Sequence, residues 1–590
     1  MVDYGLAPLK EMEMEVVKPL EEASMMVEGV RLVRSSISSG SAEINIDFQW
    51  NQDMFRAYQL VQAQISGIQN KLPKGVEIEV RRFTTSTYPI SGYSLTSDKL
   101  SLLELRDLGV YTIRPQLASI PGIFNIEVMG GDEREYRVNL DASKLAAFKI
   151  DYKTIENSLI ESNHLKFVGR LEESNKLFLN IADNRYKNIS DIKKTIIAQN
   201  GNTPIYLSDV ADVEPALKEN FIACESNLKP AVLLTIIKQP GTNAVEIMNK
   251  VDETWNQLKS SLPPNVEISK WYDMTDFIKS SIASVRDAIF FGAILTFLIL
   301  FLFLRRIRIT LVTIIIIPMA LLISFVFMKI IGITLNLMSL GGLAAAIGIL
   351  VDNAIVVVEN IERYLEDGRS GEQAIVDATS EIISPLLGAT VTTLVVFLPL
   401  IFLTGVPGIF FRALASTLSI AIFVSMLLAI FITPALAVIF ISHKEKKHGK
   451  IIPHFVNFQQ KSFKLFLKTP ILLLVVIILL SGIAYFSYDN IPSGFLPEWD
   501  EGTIVHDYVA PAGSSIEGTK SMLKNIAEYI KTIPEVETYS LRTGRSLAHP
   551  RTHTNDGDFV ISLKKDRERS SFEIMNEIRA FDAKNEPRIE

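Results

Sequence analysis

Six apolar stretches between residues 288 and 488 constrain this chain more than anything else in it. They cover roughly 288–304, 309–328, 335–358, 382–403, 411–441 and 470–488. A helix of about 20 apolar residues crosses the hydrocarbon core of a bilayer. Any one stretch alone fits a buried core helix. Six in series, separated by charged connectors, fit a membrane bundle.

The connectors set an expected orientation through lysine and arginine. The first is Arg305-Arg306-Ile307-Arg308, and the fifth carries Lys444, Lys446, Lys447, Lys450, Lys461, Lys464 and Lys468. The second holds only Lys329, and the fourth, Thr404-Gly405-Val406-Pro407-Gly408, has no charge. The third mixes Arg363 and Arg369 with acids. The first, third and fifth connectors share a side, which is expected to be the cytoplasm. Residues 1–287 and 489–590 then lie outside. Nothing ahead of residue 288 reads as a signal peptide or an anchor, so the expectation is a transmembrane helix upstream. The polar ending Arg588-Ile589-Glu590 likewise reads as a break in a longer protein.

Charge and cysteine content exclude some classes. A net charge of −7 over 590 residues, with no concentrated basic face, argues against nucleic acid as a partner. The single cysteine, Cys224, excludes an intrachain disulfide and a multi-cysteine metal site, and is expected to be a small buried residue.

The outer blocks repeat one pattern. A helix-period stretch ends near Val27-Glu28-Gly29-Val30, and strand-like runs Arg31–Ser36 and Ala42–Phe48 follow, joined by Ser39-Gly40. The order recurs after the helix predicted over 101–119, as Phe124–Met129, Gly130-Gly131 and Tyr136–Leu140. It recurs again after the helix predicted over 515–531, as Glu537–Arg542 and Asp558–Leu563. Helix, turn and hairpin in repetition predict α+β sandwiches of ferredoxin-like type. Alternation such as Ile44, Ile46, Phe48 gives each strand one apolar face. Soluble block, membrane block and a second soluble block suggest a duplicated architecture.

The third apolar stretch carries the chemistry. It reads Gly341-Gly342-Leu343-Ala344-Ala345-Ala346-Ile347-Gly348-Ile349-Leu350-Val351-Asp352-Asn353, continuing to Glu359. A carboxylate inside a span costs about 2.5–3.5 kcal/mol on insertion scales, so it needs a use or a partner. Positions 341, 345, 348, 352 and 359 share one helix face. Small residues there invite close approach of another helix. Desolvation favours the protonated carboxyl and a nearby cation the charged one; a group poised between them loads and releases protons. The plainer alternative is that Asp352 and Asn353 hydrogen-bond across helices and hold the bundle together, and that Glu359 reaches interfacial water.

These residues resemble the inner-membrane permease of resistance-nodulation-division (RND) efflux pumps. The segment Gly348–Glu362 is similar to that family's most specific stretch. Leu207–Val213, Lys238-Gln239-Pro240-Gly241-Thr242-Asn243-Ala244 and Phe495-Leu496-Pro497-Glu498-Trp499-Asp500-Glu501-Gly502 match in the same order. The resemblance implies an α-helical membrane bundle, six of the family's usual twelve spans, with ferredoxin-like periplasmic porter subdomains and a docking subdomain. It divides the chain into a first porter subdomain (1–90), the first part of a second (91–165), a docking subdomain (166–225), the remainder of the second porter (226–287), the membrane domain (288–488) and an incomplete third porter (489–590). It implies a homotrimer in the bacterial inner membrane, in contact with membrane lipid, with a periplasmic adaptor and an outer-membrane channel as partners. It implies proton antiport through a relay of Asp352, Asn353 and Glu359, driven by the proton-motive force without a cofactor. Many members have two consecutive aspartates where this chain has Asp352-Asn353.

The expected substrates are small hydrophobic or amphiphilic compounds, drugs among them, with heavy-metal cations as the alternative. Metal exporters tend to carry an extra acid where this chain has Ala345 and Ala346, and copper- and silver-type members use methionines where 503–564 holds only Met522. Multidrug members often place phenylalanine where Met129 stands. Yet Leu541-Arg542-Thr543-Gly544-Arg545 looks closer to metal-type members. His549 and His553 are four apart, but Pro550 interrupts the helix that metal ligation at that spacing needs, so the segment reads as a loop. A protein- or lipid-export factor using the same proton machinery is a further alternative. An intramembrane aspartyl protease needs two carboxylates on facing helices, and Asp352 is the only one deep in a span. No phosphate loop or His-Glu-x-x-His motif is present.

Overall fold

The computed structural model describes all residues except 6, 39, 51, 83–87, 201–202, 305–306, 368, 370, 441–450, 492–493, 495–499, 548–553 and 590. Among the sequence features above, Ser39, Arg305-Arg306, Lys444 to Lys450, Phe495–Trp499, His549, Pro550 and His553 lie outside the described residues. The chain divides into two units. A sheet unit comprises Met1–Asp47, Met54–Met274 and Asp500–Glu590, and a helical unit comprises Phe48–Asp53 and Thr275–Trp499.

The helical unit contains seven long helices: α1 (Met274–Leu304), α2 (Ile307–Ile331), α3 (Leu337–Glu366), α4 (Glu372–Ile401), α5 (Gly405–Phe440), α6 (Ile451–Lys468) and α7 (Pro470–Asp489). All but α6 are long and apolar enough to cross a membrane. Two begin ten or more residues earlier than hydropathy places them: α1 at Met274 rather than 288, and α4 at Glu372 rather than 382. The turns ahead of the apolar runs carry Asp276 and Lys279 in α1 and Glu372, Asp377 and Glu381 in α4, so an apolar window misses them although helix geometry continues. The connector predicted between the last two spans contains α6, an amphipathic helix with Lys461, Lys464 and Lys468 alternating with Phe458, Phe463, Leu465 and Leu467. Within α5 the backbone takes a π-type turn at Leu428–Ile432, the usual accommodation of one extra residue in a helix.

The core of this unit joins Ile316 and Ala320 of α2 to Leu343, Ala346, Leu350 and Ala354 of α3 and to Leu418, Ala421 and Ile422 of α5. The spacing of the α3 set is that of one helix face.

The sheet unit is mixed α/β with antiparallel sheets. One sheet places Glu267–Asp273, Ser91–Thr96, Val232–Lys238 and Ile123–Met129 side by side in that order, every pair antiparallel. In chain order these are the fourth, first, third and second strands. Gly92 packs under Trp271, and a Cβ there would collide with the indole ring. A five-stranded sheet runs Lys229–Pro230, Ala223–Ser226, Val536–Thr543, Asp556–Leu563, Thr503–Val509. Helices start where side chains meet the free N–H groups of the first turn: Ser101 with Glu104, and Ser570 with Glu573, form reciprocal capping boxes.

The repeat predicted from sequence holds in two of three places. Val30–Ile37 pairs with Ser41–Phe48, and Val536–Thr543 pairs with Asp556–Leu563. The middle copy is corrected: Ile123–Met129 and Arg134–Leu140 do not pair. The first joins Val232–Lys238 and the second joins Ala211–Leu217. Gly130 and Gly131 both take positive φ, and a Cβ on either would strike its neighbours. They let the chain leave one sheet for another instead of closing a hairpin.

A buried acid gives this unit a pH dependence. His506 Nε2 lies 3.4 Å from Asp582 Oδ2 on the helix Ser571–Asn585. Burial first, then the charge of Glu586, pushes the Asp582 carboxyl up to about 6. Burial, helped by Arg579, holds His506 below the usual imidazole range. The contribution of Asp582 is present at acid pH and lost as pH rises through about 6. That of His506 is present above its ordinary pKa and lost as pH falls. Asp582→Asn is therefore expected to tighten the helix at pH 8 by up to about 3 kcal/mol and to leave it unchanged at pH 4. Amide hydrogen exchange of Ser571–Asn585 in the full-length protein measures this; faster exchange in the variant at pH 8 contradicts it.

Candidate functional site

The site is built on α3. Asn336 caps the helix, its side chain accepting from Ser339 N at 3.0 Å while Ser339 Oγ accepts from Asn336 N at 2.8 Å. From there the apolar face of Leu343, Ala346, Leu350 and Ala354 turns into the core. Helix periodicity then leaves Ala345, Gly348, Asp352 and Glu359 exposed on the other side. Toward the start of that face nothing packs closely among the described residues: a Cβ on Gly341 or Gly348 would meet nothing within 4 Å. The close approach occurs one residue over, at Gly342, where an added Cβ would lie 2.7 Å from the Leu414 carbonyl oxygen of α5.

Asp352 and Asn353 share a cleft of ≈ 340 Å³ between α3, α4 and α5, whose wall also includes Pro385, Thr390, Thr393 and Ile422. Among the described residues no hydrogen bond or ion pair engages the Asp352 carboxylate. Asn353 is held differently. Its Nδ2 donates to Ser425 Oγ of α5 at 3.2 Å, and that hydroxyl donates to the Leu350 carbonyl at 2.7 Å. The amide thus ties α3 to α5 beside the carboxylate.

Glu359 lies outside this cleft, exposed on the helix surface. The contacts between α3 and α4 at its level are made by its neighbours. Asn360 donates to the Ala378 carbonyl at 2.6 Å and to Glu381 at 3.3 Å, and Arg363 pairs with Glu381 at 2.7 Å. Sequence reasoning named Asp352, Asn353 and Glu359; it missed Ser425, Thr390, Thr393 and Glu381. Hydroxyls in spans are common and usually bond their own helix, so composition alone does not single them out.

In the sheet unit, Met129 and Cys224 lie in one buried cluster with Leu233, Trp271 and Val560. Burial pushes the Cys224 thiol up to about 12, which leaves it protonated and unreactive. Asp500, from the sequence match near 495–502, accepts from Gly502 N at 3.0 Å and Ser571 N at 2.9 Å and pairs with Arg567.

The chain is 29% identical over 575 residues to multidrug resistance protein MdtC of Enterobacter sp. (strain 638), which covers 96% of this chain and 55% of that protein. It is 30% identical over 575 residues to MdtC of Escherichia coli O1:K1 / APEC, with the same coverage. Against MdtC of Escherichia coli O7:K1 (strain IAI39 / ExPEC) the figure is 30% over 568 residues, 95% of this chain and 55% of the relative. The chain spans about half the length of these curated relatives. Its residues 4–587 match the AcrB/AcrD/AcrF family, so nearly the whole length, sheet unit and helical unit alike, is accounted for. This chain belongs to the AcrB/AcrD/AcrF family of RND permeases.

Proposed function

We propose that the protein exports small hydrophobic or amphiphilic molecules from the bacterial cell by proton antiport, as the inner-membrane part of a tripartite pump. The observation that carries this reading is Asp352, a carboxylate halfway along an apolar helix on the wall of a cleft. The proton-motive force drives the cycle and no cofactor enters it. Asp352 carries the proton, Asn353 steadies the helix beside it, and Glu359 serves the proton path near the helix end. The multidrug names of the relatives favour organic cargo over metal cations.

Other features support the finer architecture. Strand order four-one-three-two, with helices after the first and third strands, supports a ferredoxin-like second porter subdomain built from Ser91–Met129 and Val232–Asp273. The lysine-rich segment containing α6 supports a cytoplasmic fifth connector and periplasmic sheet unit. The hairpin of Leu165–Glu173 and Lys176–Asp183 pairs only with itself among the described residues. It exposes Leu165, Phe167, Leu171, Leu177, Phe178 and Ile181. So much apolar surface on an isolated hairpin suits burial against a second copy, which fits a homotrimer. A periplasmic adaptor and an outer-membrane channel complete the assembly.

The test is expression of the full-length protein, with its adaptor and channel, in cells stripped of their own drug pumps. Tolerance to amphiphilic dyes and detergents is expected to rise several-fold, and dye efflux to stop when a protonophore collapses the gradient. Efflux that survives the protonophore overturns proton coupling. Tolerance gained only toward copper, silver or zinc salts moves the cargo to metal cations.

A further inference from the structure

Thr390 on α4 departs from the pattern of its helix. Thr379, Thr392 and Thr393 each donate to the carbonyl four residues back, at 2.8, 2.6 and 2.9 Å. Thr390 is 3% exposed, yet its Oγ1 has no hydrogen-bond partner among the described residues. A buried hydroxyl left unpaired is unfavourable, and the usual remedy, a bond to the Leu386 carbonyl, is within reach of a χ1 change. The residue lines the same cleft as Asp352.

A cleft with a carboxylate, an amide and hydroxyls on its wall meets the requirement of two to four polar partners per water. Asp352 is the only titratable group on its wall among the described residues. None of the other charged groups on the packed helices lines that wall among the described residues: Glu359 and Glu362 of α3 and Glu372 and Asp377 of α4 lie elsewhere, Arg363 of α3 pairs with Glu381 of α4, and Arg412 of α5 donates to the carbonyls of Ile401 and Leu403.

We propose that Thr390 is a positioning residue for proton uptake by Asp352. Its hydroxyl alternates between two partners. Turned to the cleft, its oxygen accepts from a water while its O–H donates to the carboxylate, and this orders the water from which Asp352 takes its proton. Turned back, it bonds the Leu386 carbonyl and breaks that path. Thr390 gains and loses no net proton; the proton comes from solvent through the cleft water and ends on an Asp352 oxygen. This inference rests on the reading of Asp352 as the proton carrier.

The experiment compares Thr390→Val, which keeps the shape and removes the hydroxyl, with Thr390→Ser, which keeps the hydroxyl. Efflux by the full-length pump is measured across external pH, with membrane levels checked. Thr390→Val is expected to slow maximal efflux about ten-fold and displace the pH profile, while Thr390→Ser stays within about two-fold. Thr390→Val with an unmutated rate and pH profile overturns the proposal. So does Thr390→Ser failing as badly as Thr390→Val, because the methyl rather than the hydroxyl then matters. Asp352→Asn run alongside separates the two ideas. If it is silent while Thr390→Val is normal, only the role of Thr390 falls. If it pumps with the unmutated pH profile, the reading of Asp352 falls and this proposal with it.

Discussion

Asp558→Ala is expected to destabilise the sheet unit by about 3–5 kcal/mol. Arg542 and Asp558 face each other across adjacent strands, and neither side chain has any solvent exposure. Arg542 Nε donates to Asp558 Oδ1 at 2.5 Å, and the second oxygen accepts from Leu547 N at 2.7 Å. The guanidinium lies 4.9 Å from the Trp271 ring centroid, and its two terminal nitrogens have no hydrogen-bond partner among the described residues. Asp558 is thus the counter-charge of a fully buried cation. Truncating it strands that cation in a low-dielectric interior and orphans a backbone N–H as well. Arg542→Ala is expected to do comparable damage by stranding the acid. Replacing both, as Arg542→Met with Asp558→Leu, is expected to recover most of the loss, since a buried pair is often no better than apolar side chains of its volume. Pulse proteolysis of the full-length protein across a urea series measures all three. Single variants within about 1 kcal/mol of the unmutated protein would mean that the interior here is wet enough to solvate a lone charge.

That pair also marks where sequence reading reaches its limit. Arg542 drew notice as the end of a predicted strand and as part of a segment resembling metal-type relatives; its partner is 16 residues away, and nothing local says that both are buried. Hairpins with short loops were legible because turn residues and strand periodicity lie together in sequence. The same logic misassigned the two strands flanking Gly130-Gly131, whose true neighbours lie about 110 residues on for the first and about 75 for the second. In the helical unit, apolar runs located the spans well, since hydropathy is a property of the residues themselves. It failed at helix ends where charged turns extend the helix beyond the apolar zone, as at Asp276 and Glu381.

The candidate site divides in the same way. Asp352 was legible because a carboxylate in an apolar run has no ordinary explanation. The tie from Asn353 to Ser425 joins positions 72 residues apart and required the packing of α3 on α5. Thr390 is the extreme case: its signal is a missing back-bond, which only coordinates reveal. The face bearing Gly341, Ala345 and Gly348 was read correctly as one side of a helix. Its close packing is not found among the described residues, and Gly342 makes the tight contact instead.

On the proposed role of Asp352 as proton carrier, Asp352→Asn in the full-length protein is expected to abolish transport while leaving membrane level and assembly intact. The substitution keeps shape and polarity and removes only the ability to take up and release a proton, so a structural role tolerates it and a relay does not. The available drive is about 2.3 kcal/mol per charge per 100 mV of membrane potential; with no group to carry the proton, none of it reaches the cargo. Asn353→Ala is expected to weaken transport without removing it, because it cuts the 3.2 Å bond to Ser425 and spares the titrating group. An interhelical bond of this kind contributes on average about 0.6 kcal/mol. Ser425→Ala is expected to resemble it, losing both that bond and the one to the Leu350 carbonyl. Asn353→Asp is expected to stay active, since it keeps Asp352 and adds a second titratable carboxyl beside it. Efflux rates under an imposed proton gradient, normalised to protein in the membrane, separate these outcomes. Asp352→Asn exporting at the unmutated rate would make Asp352 a bracing residue, and Glu359 would become the carboxylate to test next.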